Sequence, residues 1–529
     1  MIYFLTDWGL ETGNLEADVV FNIIETFNEG NKENTIINMT MSPFLNYFIN
    51  QYDFSKKENI KDLYDSIFEK NNEEFTPFTM NDLSFPKHYE LTYTKNEVLL
   101  SVNGKIQAKV FFNVFGFVSH VHYFSEEGKE EHIYSEKGYI IQKNFFNSLE
   151  KRIKSQFLDK VGQVILTEWE NAVEVGPKYL LRFKQIRYDS LKTVHIEMLN
   201  TMLENFDPEQ DHLILKGTSD WALDIVQDFT FPERVVYIFP GDSQNNLDKI
   251  VKHEEIIGQS QRVIVDDPIL KENIEDNPST LALNEKTKFL PLFPTGFSLG
   301  ESNTYAEQYI YWKIDDFNSK VQKRLIEFLN TKLEIPDLCL TIESGKGLEE
   351  GRIQTFIENF TTETFEIDLN SMEYGLVQKY YEALENEEMT PSLRELFTKT
   401  KKTNPYFGRF IEAYHFIKGV EFRYQSHLSL VKQDLNKARV FVDQQEESDF
   451  FIHSLAVSAG IPLVLRKKSP YLVDEKNGLI LEEESRLVQV VKNYLENRDS
   501  WNQNVVESVE VIQEYSAEGL LQKWKEELQ

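Results

Sequence analysis

Short apolar runs alternate with longer amphipathic stretches in this chain, and the alternation occurs twice, on either side of a segment rich in proline and glycine. That rhythm predicts βαβ units around parallel sheets. Ile2–Leu5 is an apolar run entering a Trp8-Gly9 turn, Val19–Phe27 has helical spacing, and Thr35–Met39 reads as the next strand. Gln163–Thr167, His212–Leu215, Val235–Phe239 and Val263–Val265 continue the first series. Pro291-Leu-Phe-Pro-Thr-Gly-Phe-Ser-Leu-Gly300 then breaks it, as an interdomain crossover would. The second series is Tyr309–Ile314, Val321–Leu329, Leu338–Ile342 and Phe365–Leu369, followed by a mostly helical stretch over Ser371–Ile417. Val420–Tyr424, Arg439–Val442, Ile461–Leu465 and Gly478–Leu481 complete its strands. Leu487–Leu495 and the segment from Trp501 onward read as closing helices.

Between Tyr89 and Phe146 the pattern changes to alternating runs punctuated by Asn103-Gly104, Gly128 and Gly138. Asn-Gly between such runs is a hairpin signal, so an antiparallel sheet is expected here. A chain of 529 residues exceeds one ordinary core. The expected fold is α/β, with two Rossmann-like domains facing a cleft and an antiparallel β insertion in the first. The expected divisions are 1–295, with the insertion at 80–150, then 296–500, then a closing helix over 501–529 that returns toward the first domain.

Charge narrows the functional classes. The formal net charge is −31, which repels phosphate backbones and argues against nucleic acid as a partner. Cys339 is the single cysteine, so no internal disulfide can form, and a reducing cytoplasm is the expected compartment. The opening Met1-Ile-Tyr-Phe-Leu-Thr-Asp-Trp8 lacks the cationic start and long apolar core of a signal peptide. No run approaches the ~20 apolar residues needed to span a bilayer, so any membrane association is expected to be peripheral at most.

The segment Ala438-Arg-Val-Phe-Val-Asp-Gln-Gln-Glu-Glu447, continuing through Leu455, Ala456, Gly460 and Pro462 to Asn477-Gly478, resembles the nucleotide-sugar segment of retaining GT-B glycosyltransferases. In the catalytic pattern two glutamates stand where this chain has Glu447 and Leu455. One carboxylate accepts hydrogen bonds from hydroxyls, and the other works beside the developing charge on the donor. Leucine can do neither. Glu447 reads equally well as an acidic residue near a helix N-terminus. Active relatives also hold the donor diphosphate with Gly-Arg and a lysine after the domain's first strand. Here that strand runs Tyr309-Ile-Tyr-Trp-Lys313-Ile-Asp-Asp-Phe317, with Asp315 and Asp316 where an anion would approach, and Lys313 reads as a solvated side chain.

Other motifs read as structural. Ser344-Gly345-Lys346-Gly347 lacks the Walker ending and matches a GT-B turn. Trp8, Gly9 and Gly13 lie where GT-B enzymes place a turn near the acceptor; Gly9 serves a tight turn, and Trp8 has packing as its first reading and stacking on a sugar as its second. His120 and His122 share one side of a strand, as metal sites require, but no carboxylate or cysteine is interleaved with them, so they read as a surface or hairpin pair. Cys339 reads as core, and no Gly-x-Ser-x-Gly elbow is present. No catalytic residue, metal or cofactor is assigned. The candidate glycan-binding residues are Trp8, Gly9, Glu447 and Ser448.

Over nearly its whole length the chain resembles the first of the accessory secretory proteins of Gram-positive bacteria. The resemblance rests on Tyr3-Phe4 with Trp8, Pro294-Thr-Gly-Phe-Ser-Leu-Gly-Glu-Ser302, Ile310-Tyr-Trp312 and Val431-Lys-Gln-Asp-Leu-Asn-Lys-Ala-Arg-Val440. It implies a non-catalytic component of the accessory Sec system that exports serine-rich-repeat glycoprotein adhesins. The partners implied are two other accessory secretory proteins, the specialised SecA motor and the glycosylated adhesin. Two alternatives stay open at this point: a glycosyltransferase or its regulatory subunit acting on the same adhesin, and a pure assembly scaffold.

Overall fold

The strand Ile2–Thr6 pairs in parallel with Asn34–Asn38 on one side and His212–Lys216 on the other. Its side chains from Phe4 to Thr6 are buried, as befits a parallel strand covered by helices on both faces. In this computed structural model, the described residues are 1–9, 15–51, 59–68, 76–241, 243–298, 300–345, 349–424, 426–481 and 483–529. Gly13, Leu299, Lys346 and Gly347, singled out above, lie outside them.

The first parallel sheet runs, edge to edge, Thr287–Phe289, Arg262–Val265, Val235–Phe239, His212–Lys216, Ile2–Thr6, Asn34–Asn38, Ile60–Asp62. The chain builds outward from Ile2–Thr6 in one direction and then returns to the other side at His212. A second parallel sheet repeats this plan: Val420–Arg423, Leu338–Ser344, Gln308–Ile314, Ala438–Asp443, Leu463–Leu465, Gly478–Ile480. In each sheet the order reverses beside the first strand, and the crevice outside the strand C-termini at such a reversal is where ligands bind in open α/β sheets.

A ten-stranded antiparallel sheet follows the chain strand by strand from Glu90–Tyr93 to Arg187–Tyr188. Asn103 and Gly104 adopt φ of 51° and 75°, the left-handed pair that a tight two-residue hairpin needs. This sheet extends well past residue 150, and Val164–Trp169 pairs antiparallel with Arg152–Leu158 and Ala172–Val175 instead of joining the parallel sheet. The reason lies in its burial. Ile165 and Leu166 are both buried, because this part of the sheet packs against Leu213, Leu215 and the rest of the first domain's core. A strand covered on both faces loses its alternation and resembles a parallel one. Phe365–Leu369 also differs from expectation: Phe365 ends the helix Glu349–Phe365, and the next three helices, Met372–Glu385, Pro391–Thr403 and Phe407–Lys418, form a separate small core around Tyr374, Phe397 and Phe407.

The crossover is threaded between two helices of the second half. Thr295 N–H donates to the Tyr515 carbonyl at 2.9 Å, Thr295 Oγ1 donates to the Ile512 carbonyl, and Gly296 N–H donates to Ser458 Oγ at 3.1 Å. Gly300 N–H donates to the Ala459 carbonyl, and a Cβ there would stand 2.7 Å from the Asn436 carbonyl, so only glycine fits. The last helix, Ala517–Glu527, returns to the first domain. Trp524 packs edge-on against Phe27 with ring centroids 5.9 Å apart, Leu521 rests on Gly30, and Arg262 pairs with Glu527 at 3.1 Å. One apolar cluster joins Phe4 and Ile214 of the first sheet to Tyr311 and Phe441 of the second, with Trp524 inside it. Trp524→Ala removes a side chain that is 1% exposed. The substitution should cost about 3–5 kcal/mol, read as an earlier midpoint in urea denaturation.

Candidate functional site

At the reversal point of the second sheet, Lys313 is buried, at 6% exposure, and is not the solvated side chain expected. Its Nζ lies 2.7 Å from Asp449 Oδ2 and 3.4 Å from Glu343 Oε2. Glu343 also accepts from the Tyr311 hydroxyl at 2.9 Å. Burial would lower the lysine's pKa, but the Asp449 and Glu343 carboxylates override it, and the ammonium is held above its ordinary value. Burial pushes Asp449 upward, the Lys313 charge pulls it down more strongly, and the carboxyl ends below its ordinary value.

Asp449 is also the N-cap of the helix Phe450–Ser458, accepting from Ile452 N–H at 3.2 Å. Glu447 therefore lies in the loop before the cap, exposed, with Ser448 half-buried beside it. That loop is held by Asp315, whose oxygens accept from Gln445 Nε2 at 3.2 Å and Glu446 N–H at 2.9 Å. Leu455 faces the shared apolar cluster. The position of the second glutamate is thus occupied by packing.

The strand ends of the first sheet form the facing wall. Asp266 Oδ1 accepts from Gly241 N–H at 2.7 Å, while its Oδ2 has no hydrogen-bond partner among the described residues. Burial, with Asp267 adding its negative charge, pushes the Asp266 carboxyl up to about 8. Between the walls is a cleft of about 580 Å³ touched by Asp266 and Gly241 on one side and by Lys313, Glu447, Ser448 and Asp449 on the other. Among the described lining residues Lys313 is the single cation, against five carboxyl groups. No charge is left over for a diphosphate.

The structure brings Glu447 and Ser448 together but sets Trp8 and Gly9 apart from this lining. Trp8 is 2% exposed, packs against Phe21, and donates its indole N–H to Asp18 at 3.2 Å, so no ring face is open to a sugar. Its backbone is clamped by Asn38, which accepts from Trp8 N–H and donates to the Trp8 carbonyl. A Cβ on Gly9 would approach Thr40 at 3.2 Å, in keeping with a tight turn. Sequence reasoning missed Lys216 beside them, bound by Asp18 at 2.5 Å and Asp7 at 3.2 Å. It also missed Asp266, whose Asp-Asp-Pro context at a strand end is the available signal.

Among the remaining candidates, Cys339 is half-buried instead of core, and burial pushes its thiol up, away from the nucleophilic form. Burial and the neighbouring His122 lower His120 to about 4, and the hydrogen bond from His122 draws Glu131 down to about 2. His453 is buried between Asp443 at 2.9 Å and Ser469 at 3.0 Å, a chain closed off from the cleft that ties the helix to two strand ends.

The model of the accessory Sec system protein family that comes first in the Asp series matches residues 4–529. The chain belongs to this family. A member from Streptococcus gordonii is 22% identical over 526 residues, covering 98% of this chain and 94% of the relative. A crystal structure of accessory secretory protein 1, 2 and 3 in Streptococcus pneumoniae contains a chain that superposes with a TM-score of 0.75 at 20% identity, covering 100% of this chain and 99% of that one. The pneumococcal O-GlcNAc transferase GtfA, solved in complex with UDP and GlcNAc, superposes with a TM-score of 0.60 at 12% identity, covering 100% and 98%. The fold is GT-B-like, in an accessory Sec family. No helix among the described residues is long and apolar enough to cross a membrane.

The Asp266 carboxyl gives a pH signature with a definite sign. Its folded pKa lies above the ordinary value of 3.8, so the folded state keeps the proton longer and stability falls as pH rises from about 4 toward 8. Asp266→Asn should therefore stabilise the protein, with a gain in urea midpoint that is small at about pH 4.5 and largest near pH 8.

Proposed function

We propose that this chain is a non-catalytic, cytoplasmic component of the accessory Sec system that acts in export of serine-rich-repeat glycoprotein adhesins. In this reading it works with two other accessory secretory proteins and the specialised SecA motor, and its cleft holds N-acetylglucosamine-bearing segments of the adhesin. Family membership and the solved assembly of accessory secretory proteins 1, 2 and 3 support the setting.

One observation carries the ligand class: Lys313, the cleft's single described cation, is already bound by Asp449 and Glu343. A sugar nucleotide brings two phosphates into a site whose unpaired groups are carboxylates, and repulsion in a partly desolvated cleft opposes it. A neutral glycan brings hydroxyls and an amide, which carboxylates and Ser448 can meet by accepting and donating hydrogen bonds. Leu455 leaves no second carboxylate beside Glu447, which supports the absence of transfer chemistry. Glu447 and Ser448, facing Asp266, are the proposed contacts. The Trp8 contribution expected from sequence has no exposed ring face to rest on.

Each neutral contact contributes only ~0.5–1.5 kcal/mol, so one sugar should bind weakly and many sugars on one polypeptide should bind through avidity. Calorimetry with chelator present should show a glycosylated serine-rich repeat binding at least about tenfold more tightly than the bare repeat. Glu447→Ala should weaken that difference, and no UDP-sugar should be consumed. Equal binding of both repeats, or binding of neither, would replace this reading with the scaffold. UDP-sugar turnover that Glu447→Ala abolishes would replace it with an enzyme.

A further inference from the structure

The antiparallel sheet assembles a group that the sequence pattern alone does not reveal. His120 and His122 leave the strand Val118–Phe124 on one side, while Val121 between them enters the sheet's own apolar core. Strand register sets His122 opposite Glu131, and Glu131 opposite Asn144 on the strand beyond. One ligand atom from each of His120, His122 and Glu131 lies within 4.8 Å of the other two. The carboxylate missing between the histidines in sequence thus arrives from the next strand.

The surrounding hydrogen bonds orient these groups. Ser119 Oγ gives its only proton to the Phe111 carbonyl at 3.2 Å, so toward His120 Nδ1, 3.0 Å away, it can only accept. His120 Nδ1 then carries the hydrogen, and Nε2 presents a lone pair. Asn144 Nδ2 donates to Glu131 Oε2 at 2.7 Å, leaving Oε1 toward His122 Nε2 at 2.8 Å. Phe111 stacks on the His120 ring with centroids 4.4 Å apart and fixes its plane. The two lysines on this face are engaged elsewhere: Lys109 pairs with Glu97 at 3.1 Å, and Lys129 sits over the Phe146 ring at 4.3 Å.

We propose that His120, His122 and Glu131 form a binding site for a divalent transition-metal ion of the zinc type, held by two imidazoles and one carboxylate with a coordination position open to water. This donor set suits zinc, whereas magnesium and calcium prefer oxygen ligands. Bonds of ~2.0–2.1 Å require the three atoms to draw closer than they now stand, which partly exposed side chains achieve by small rotations. On binding, His122 Nε2 releases its proton to solvent and takes the metal in its place. Glu131 Oε1 exchanges the histidine hydrogen bond for a metal bond. Ser119 and Asn144 remain as the partners that orient the ligands. The site lies in the antiparallel sheet and does not depend on the glycan reading of the cleft.

Titration of the tag-free, full-length chain with zinc chloride tests the assignment by calorimetry and thermal denaturation. The expected result is one zinc per chain and a raised Tm. His120→Ala and Glu131→Gln should each weaken binding at least about tenfold and abolish the Tm shift. Their circular dichroism in chelator should match the unsubstituted protein, and the near-isosteric Glu131→Gln provides a second test should His120→Ala fail to fold. Absence of stoichiometric binding would overturn the proposal. So would unchanged binding in both variants, which would place zinc elsewhere on an acidic surface, or equal binding of magnesium.

Discussion

The organisation of the cleft depends on a buried ammonium with two carboxylate partners. A lysine withdrawn from water is tolerated only when opposite charges and hydrogen bonds compensate its lost hydration. Lys313 meets that condition by drawing Glu343 from the adjacent strand and Asp449 from the start of the next helix. Asp449 divides its two oxygens between this ion pair and the cap of that helix, so the pair sets where the helix begins and where the Glu447–Ser448 loop stands. The first sheet shows the same arrangement in Lys216 with Asp7 and Asp18, and Asp18 in turn caps the helix Val19–Glu29 and accepts from Trp8. Both reversal points thus carry a cation, and in both the charge is spent within the fold.

Much of the architecture is legible in the chain itself. Parallel strands buried on both faces appear as apolar runs, and Ile2–Thr6, Val235–Phe239 and Ala438–Asp443 fall where such runs lie. The Asn103-Gly104 hairpin is equally plain. Legibility ends where tertiary contact changes what a pattern means. Ile165 and Leu166 form an apolar pair because the antiparallel sheet is covered on its second face there, and nothing local distinguishes that from a Rossmann strand. The Glu349–Phe365 helix ends at an apolar Phe365, and the run onward to Leu369 imitates a strand because it covers the small three-helix core.

The candidate site is legible only in part, for electrostatic reasons. Glu447 and Leu455 can be placed because they lie in one continuous motif. Lys313 looks solvated in sequence, since one partner comes from the neighbouring strand and the other from a helix far along the chain. Trp8 shows the converse limit: a tryptophan at a strand end stacks on a ligand or packs inward according to what stands over it, and here Asp18 and Phe21 draw it inward. Glu131 escapes notice beside the histidines because the hairpin, not the local sequence, sets it across from His122.

The return of the helix Ala517–Glu527 to the first domain bears on the order in which the protein can be made. Phe27, Val20 and Ile24 are synthesised early, yet Leu520, Leu521 and Trp524, which belong to the same cluster, leave the ribosome late. The amino-terminal half cannot close its core while it is being translated. It must wait, with apolar surface exposed, until the carboxy-terminal half has emerged and delivered this helix. A chain built this way has a built-in check on completeness: a ribosome that stalls before the helix is made leaves both halves present but the first unsealed, a natural target for proteolysis.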